Sequence, residues 1–266
     1  MNRRSFIYNS GLASLSVMGL NSCNLSSRDL KITILHTNDV HSQIDPFPSN
    51  HNLYPNKGGF AKRASLFQEL ITINPNTLIF DAGDIFQGTP YFNFFQGELE
   101  LNLMKKMGYN AATIGNHEFD AGLKTFKKNI LNNDFQFISS NYDFTNTELE
   151  GLIDKYKIYN KGGIKIGVFG LGIELKGLVS PLLYRETRYY DPVDIAKDIS
   201  SKLKFEKGCD LVICISHLGH QYQNDKISDT ELAKLTSNID LIIGGHTHTL
   251  LKEPLILNNY LGEEVI

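Results

Sequence analysis

The chain has few cysteines, no excess of positive charge and no long apolar run. Its three cysteines, Cys23, Cys209 and Cys214, are too few for a disulfide framework, and the last two lie in or beside an apolar run, which predicts buried free thiols. Lysine and arginine total 26 against 29 aspartates and glutamates. The chain therefore offers no basic field for a phosphate backbone, and we expect no nucleic acid polymer as a partner.

The segment 1–22 is predicted to be a twin-arginine export signal rather than part of the fold. Arg3 and Arg4 open it, and the weakly hydrophobic run that follows is too short and too polar to span a bilayer permanently. The run ends in Leu20-Asn-Ser-Cys23, which resembles a bacterial lipobox. A disordered start with chance arginines is the alternative.

This signal predicts cleavage before Cys23 and lipidation of its thiol, with residues 23–29 as a short tether. The expected product is an exported lipoprotein, anchored to a membrane through Cys23 and facing the periplasm or the cell exterior. The whole chain is 41% hydrophobic and 21% charged. The residues that follow the tether are numerous enough to bury a large core.

Five apolar segments with the pattern of a buried strand each end in a short polar cluster. The clusters span 36–41, 81–88, 115–120, 216–220 and 244–248. Helical spacing of apolar residues lies between them, at 60–73, 98–107, 123–131, 192–205 and 229–235. Because ligands of open α/β sheets bind beyond the carboxyl ends of the strands, we expect the five clusters to converge.

These clusters offer nitrogen and oxygen ligands and no thiolate. The set suits two borderline divalent ions such as zinc, manganese, iron or cobalt, and disfavours a cysteine-rich structural zinc site. Two ions that share one carboxylate would each receive four protein groups, with room for a bridging hydroxide and a substrate. The candidate metal ligands are Asp39, His41, Asp84, Asn116, His217, His246 and His248.

The cluster Gly115-Asn-His-Glu-Phe-Asp120 has groups beyond the metal ligands. His117 can move a proton, and Asp120 can hold the imidazole in one tautomer. The alternative for Asp120 is a charge at the first turn of the following helix. Asn116 would bind a metal without adding negative charge. Glu118 has no place in the ligand count, and we expect it only to belong to the start of the helix.

The five clusters, in this order and at this spacing, resemble the calcineurin-like metallophosphoesterases. The likeness is to the catalytic domain of bacterial 5'-nucleotidases, with their UDP-sugar hydrolase and 2',3'-cyclic phosphodiesterase relatives. It implies an α/β fold of four layers, α/β/β/α, in which helices flank a two-sheet sandwich. It also implies that one ion is held by Asp39, His41 and His248, the other by Asn116, His217 and His246, and that Asp84 bridges the two.

The resemblance implies a metal-dependent phosphoesterase that hydrolyses nucleotide phosphomonoesters by in-line attack of a metal-bridging hydroxide. Asn116 would also lie at the bound phosphate, and His117, steadied by Asp120, would serve the leaving oxygen. Cyclic nucleotides, UDP-sugars or another ester are the alternative substrates. A surface lipoprotein that keeps the fold only for binding is the alternative of another class.

One part of the family pattern is missing from this sequence. Two-domain 5'-nucleotidases have a carboxyl-terminal domain that clamps the base, whereas this chain stops at Ile266, soon after His248. We expect 30–266 to be a catalytic domain that is cut short at its carboxyl terminus, with a possible specificity domain on a separate subunit. The aromatic run 91–95 could face a nucleobase, although we expect it to pack in the core.

Overall fold

Two β-sheets form the centre of residues 30–266, the part of the chain that the computed structural model describes. The predicted signal, the tether and Cys23 lie outside the described residues. One sheet joins β1 (Thr33–Thr37), β2 (Thr77–Asp81) and β3 (Ala111–Ala112), all parallel. The other has the order β5 (Tyr156–Lys161), β6 (Ile164–Leu171), β8 (Leu211–Ser216) and β9 (Leu241–Gly244). Two short antiparallel pairs are β4 (Tyr142–Asp143) with β7 (Arg188–Tyr189) and β10 (Leu257–Asn258) with β11 (Glu264–Val265).

Two apolar segments on either side of Lys161-Gly-Gly163 predict a hairpin, and β5 and β6 of the second sheet form it as an antiparallel pair. The strands β6, β8 and β9 are parallel. The carboxyl ends of β8 and β9 therefore lie at one edge of this sheet, as those of β1, β2 and β3 do in the other. This arrangement places the polar clusters.

Seven α-helices cover the outer faces of the sheets in the described part of the chain. They are α1 (Phe60–Ile73), α2 (Pro90–Phe95), α3 (Glu98–Met107), α4 (Gly122–Asn133), α5 (Pro181–Tyr184), α6 (Pro192–Ser201) and α7 (Asp229–Leu235). The helices predicted over 60–73, 98–107 and 229–235 are confirmed residue for residue. Local sequence explains their ends: Ser228 accepts a hydrogen bond from the first turn of α7, and Gly108 ends α3 with φ 86°.

Three apolar cores separate four layers. Phe80 and Ala111 of the first sheet meet Ile213 and Ile215 of the second in the middle core. A second core packs α3 and α4 on the first sheet, and a third packs α6 and α7 on the second. This confirms the predicted α/β fold of two sheets between helices.

Two expectations were wrong in detail. The apolar segment 135–139 predicts a strand, but in the structure it forms only single bridges at Phe137 and Ile138. The aromatic run at 91–95 forms the short helix α2, of which only one face meets the core: Phe92 packs there, while Phe94 is 81% exposed. Within residues 30–266 the structure has no helix whose length and apolar character would let it cross a membrane.

Candidate metal centre

The carboxyl ends of β1, β2, β8 and β9 bring six of the seven predicted metal ligands into overlapping groups. One group is Asp39, His41 and His248, and a second is Asp84, His217 and His246. A third group, His41, Asp84 and His117, links these two. Asn116, the seventh, follows the end of β3, and the next residue, His117, donates its backbone N–H to Asp84 Oδ1 at 2.8 Å. The clusters therefore converge as the strand pattern predicts.

The first group lies at the end of β1 and in the loop after β9. His248 Nε2 is 3.4 Å from Asp39 Oδ1 and 3.1 Å from His41 Nε2. Both carboxylate oxygens of Asp39 accept the backbone N–H of His246 at 3.0 Å, which fixes the loop after β9 against β1. His41 Nδ1 lies 3.2 Å from Phe86 O, so that Nε2 is the nitrogen directed at the group.

The second group is buried. His217 Nδ1 lies 2.6 Å from the carbonyl oxygen of Ala82, to which it donates, and Nε2 lies 3.0 Å from Asp84 Oδ2. Burial lowers the pKa of His217, but the Asp84 carboxylate outweighs it and raises that pKa to about 9. Burial lowers the pKa of His246 to about 4, which leaves this imidazole neutral at pH 7.

Asp84 is the residue common to both sides. Its Oδ2 atom is 3.0 Å from His217 Nε2 and 4.0 Å from His41 Nε2. Burial acts to raise the pKa of Asp84, whereas the charge and hydrogen bond of His217 lower it below its ordinary value. A permanently ionised carboxylate between two imidazole groups suits a ligand shared by two cations.

Two observations indicate that these residues fit metal ions. Nine buried side-chain polar atoms have no hydrogen-bond partner among the described residues. Three of them belong to candidate ligands: Asn116 Oδ1, His246 Nδ1 and His217 Nε2, the last of which has the 3.0 Å ion-pair contact with Asp84. Buried polar atoms without a partner call for an explanation, and a bound cation would satisfy those of the candidate ligands. Two ligand atoms at bond lengths of about 2.0 to 2.2 Å from one ion are themselves about 2.8 to 3.6 Å apart, from octahedral to tetrahedral angles. The 3.0, 3.1 and 3.4 Å separations among these side chains agree with that spacing.

Backbone strain is concentrated in the same residues. Left-handed φ angles occur at Asp39 (49°), His41 (44°), Asp84 (56°), His246 (72°) and His248 (50°). Non-glycine residues adopt this region at a cost of about 1 to 3 kcal/mol each, and such strain clusters at functional sites. The fold holds these five side chains in place against local preference.

Two glycines allow the backbone to approach closely. A Cβ atom on Gly115 would lie 2.3 Å from Asp84 Oδ1, and one on Gly83 would lie 2.8 Å from His217 Nδ1. Gly83 also has φ 88°, which disfavours any side chain there. The glycines beside the polar clusters thus make room for the side chains of the neighbouring clusters.

His117 and Asp120 form a pair at the rim. His117 Nδ1 is 2.7 Å from Asp120 Oδ2, and the ring centroids of His117 and His41 are 5.2 Å apart. The hydrogen bond to Asp120 raises the pKa of His117 above its ordinary value. The spacing prediction that Asp120 could orient His117 therefore has a direct contact behind it, while their catalytic roles stay predictions.

Glu118 lies in a 3₁₀ helix, His117–Phe119, at a helix start as the sequence suggested, but it also has a role that the sequence analysis missed. It is fully buried, and its carboxylate accepts backbone N–H groups of Asp84 at 2.9 Å, Ile85 at 2.7 Å and Gly115 at 2.6 Å. Burial raises the pKa of Glu118 to about 7. One feature of the sequence could have indicated this role: loops flanked by glycine leave backbone N–H groups that need an acceptor.

Comparisons with known proteins agree with this geometry. The family model described as calcineurin-like phosphoesterase matches residues 32–250. The chain belongs to the calcineurin-like phosphoesterase family. This family assignment accounts for the strand-end clusters and for the His and Asp groups that can hold metal ions.

Similar members include 5'-nucleotidases. The chain is 33% identical to a snake venom 5'-nucleotidase of Gloydius brevicauda over 236 residues, which cover 86% of this chain and 39% of that protein. A 5'-nucleotidase precursor from Thermus thermophilus superposes with a TM-score of 0.78 at 30% identity, covering 88% of this chain and 47% of that one. The NAD nucleotidase of Haemophilus influenzae has a TM-score of 0.78 at 29% identity, over 88% and 49% of the two chains. The chain spans about two fifths of the length of the first curated relatives that it matches.

Proposed function

We propose that this calcineurin-like phosphoesterase hydrolyses nucleotide phosphomonoesters with two divalent metal ions. The observation that carries the proposal is the cluster of ligand atoms from Asp84, His217 and His246, with unpartnered buried atoms on His246 and on the neighbouring candidate Asn116. When bound, two such ions lower the pKa of a coordinated water and attract the negative charge of a phosphate. Zinc, manganese, iron and cobalt all suit this ligand set.

We assign the ligands by the two groups in the structure. Asp39, His41 and His248 would hold one ion, and Asn116, His217 and His246 the other, with Asp84 shared. The hydrogen bonds from His217 Nδ1 to Ala82 and between His41 Nδ1 and Phe86 support this assignment, because each leaves Nε2 as the ligand atom. The neutral amide of Asn116 keeps net positive charge at the site, where the phosphate would lie.

The rim pair completes the proposed chemistry. His117, held by Asp120, would protonate or stabilise the leaving oxygen of the ester. The raised pKa of His117 favours the protonated imidazolium that this role needs. Asp120 would act through His117 as a positioning residue.

The nucleotide assignment is supported by the relatives named above, which are 5'-nucleotidases and an NAD nucleotidase. A relative in Bacillus subtilis, 29% identical over 260 residues, is named a trifunctional nucleotide phosphoesterase, so other nucleotide esters remain the second candidate class. A specificity domain on a separate subunit stays a prediction. So does the export route, which we propose to end in lipidation of Cys23 and a membrane surface outside the cytoplasm.

A substrate panel with chelator and metal add-back tests the function. Phosphate release would be measured from AMP, UDP-glucose, a cyclic nucleotide and an aryl phosphate, with Mn²⁺ or Zn²⁺ restored after chelation. We expect AMP to be hydrolysed, activity to vanish on chelation and activity to return with metal. A preference for UDP-glucose or the cyclic nucleotide would replace nucleotide phosphomonoesters by that compound class as the proposed substrate. A chain that binds no divalent ion and has no chelator-sensitive activity would overturn the proposal.

A further inference from the structure

We infer that Glu118 is a positioning residue that holds the Asp84 loop and the Asn116 loop at the spacing required by the proposed metal ions. The inference rests on the proposed function, because it concerns ligands of the proposed centre. Glu118 itself is not a candidate ligand, since both of its carboxylate oxygens are occupied by backbone N–H groups.

The first half of the argument is the loop after β2. Three successive N–H groups, from Asp84, Ile85 and Phe86, converge on the Glu118 carboxylate at 2.9, 2.7 and 3.4 Å. Successive N–H groups arranged in this way form a nest that binds an anion. Asp84 has φ 56°, a strained angle that persists only when its surroundings enforce it. The carboxylate fills the nest and so supports the conformation that directs Asp84 into the site.

The second half is the loop after β3. The Glu118 oxygen that accepts the Asp84 N–H also accepts the N–H of Gly115, the residue before Asn116. One oxygen atom therefore joins two loops, each of which supplies a proposed ligand. The residue is fully buried, so water cannot replace it as the acceptor.

The chemistry of the carboxylate suggests two informative substitutions. Glu118→Gln keeps the volume but replaces one acceptor oxygen by an NH₂ group, which would face N–H donors. Glu118→Asp keeps both oxygens but shortens the side chain by one methylene. The first change tests the acceptors, and the second tests the reach.

Glu100 provides a matched control. It is also fully buried, but neither of its carboxylate oxygens has a hydrogen-bond partner among the described residues, so it joins no loops of the site. We expect Glu100→Gln to leave metal binding unchanged.

The experiment uses the full chain and two readouts other than activity. Amide hydrogen exchange of the metal-free protein reports on residues 84–86 and 115, and calorimetric titration with Mn²⁺ reports on metal affinity. In Glu118→Gln we expect exchange at these amides to rise at least about tenfold and Mn²⁺ affinity to fall about 10- to 100-fold, the usual effect of losing a group that orients ligands. Glu118→Asp should give smaller changes in the same direction.

Unchanged Mn²⁺ affinity in a folded Glu118→Gln protein would overturn the inference. If that protein does not fold, Glu118→Asp decides: wild-type affinity with unchanged local exchange would equally overturn it. The proposed function fails separately, through a wild-type chain that binds Mn²⁺ but hydrolyses no phosphate ester. Even then, faster amide hydrogen exchange at residues 84–86 and 115 in the metal-free Glu118→Gln protein would still support the positioning role of Glu118.

Discussion

The two halves of the candidate metal centre differ in how far they are open to solvent. In the closed half the His217 side chain is 0% exposed and is anchored to the carbonyl of Ala82, and it meets the shared residue Asp84, which is 3% exposed. In the open half the His248 side chain is 59% exposed, and its polar contacts are with His41 and Asp39, which belong to the same half. Preorganised ligands lose less entropy on binding. We therefore expect the closed half to bind its ion more tightly and the open half to exchange its ion more readily.

Asp84→Asn should break both halves together and have the largest effect. The amide removes the one charge that lies between His41 and His217, so both ions lose their shared charged ligand. We expect phosphate release to fall by about 10³-fold or more and metal content to drop below two ions per chain. Turnover with saturating metal and elemental analysis would measure this. Near-normal activity with both ions bound would contradict the shared role of Asp84.

His117→Asn should reduce turnover while leaving both metal sites in place. His117 contacts Asp84 through its backbone N–H, which the substitution retains, and its ring contacts Asp120 and the edge of the His41 ring. We expect kcat to fall by about 10²- to 10⁴-fold while both ions remain bound. The loss should be smaller for an aryl phosphate, whose leaving group needs less help from an acid. A normal kcat on AMP would end the proposed role.

The halves can be compared directly with a matched pair of substitutions, His217→Asn and His248→Asn. Because His217 is buried and anchored while His248 is exposed, we expect metal affinity to fall about 100-fold in the first and about 10-fold in the second. Titration of each metal-free protein with Mn²⁺ measures the difference. Equal losses would mean that burial does not rank the two halves.

Removal of metal from the wild-type chain should occur in two phases. The ion of the open half should leave first on addition of a chelator, at a rate about tenfold or more above that of the second ion. Stopped-flow absorbance of a Co²⁺-loaded protein would resolve the phases. Loss of both ions in a single phase would contradict the expected difference in metal dissociation rate between the two halves.

Asp81→Asn should have the smallest effect, and the effect should be on the free energy of unfolding rather than on activity. Burial raises the pKa of Asp81 from 3.8 to about 8, so the folded chain keeps a proton that the unfolded chain loses above pH 4. The free energy of unfolding should therefore fall as pH rises towards 8. Between pH 6 and 8 we expect the wild type to lose about 1 to 3 kcal/mol more than the variant does.

Urea denaturation of both metal-free proteins at these two pH values measures that difference. Asp229, whose pKa burial raises to about 7, is present in both proteins and cancels in the comparison. Equal losses in the two proteins would show that Asp81 is ionised in the fold.

Much of the site could be predicted because strand ends are local features. In the sequence, each apolar segment ends at a polar cluster. Because parallel strands bring their carboxyl ends together, the clusters can be predicted to meet even when no long-range contact is known. The role of Glu118 could not be read in this way, because its partners at 84–86 lie 32 to 34 residues earlier in the chain. The run at 91–95 was also misjudged, since hydrophobicity does not reveal that a six-residue helix turns Phe94 outwards.

The hydrogen bond from His246 N–H to Asp39 joins residues 207 positions apart. Contacts of such separation form late, because the intervening chain must first be ordered. The open half of the centre consequently cannot exist until the last strand of the second sheet has docked. Metal should leave the early folding rates unchanged and then stabilise the finished chain by its own binding energy, so that its capture marks the end of folding.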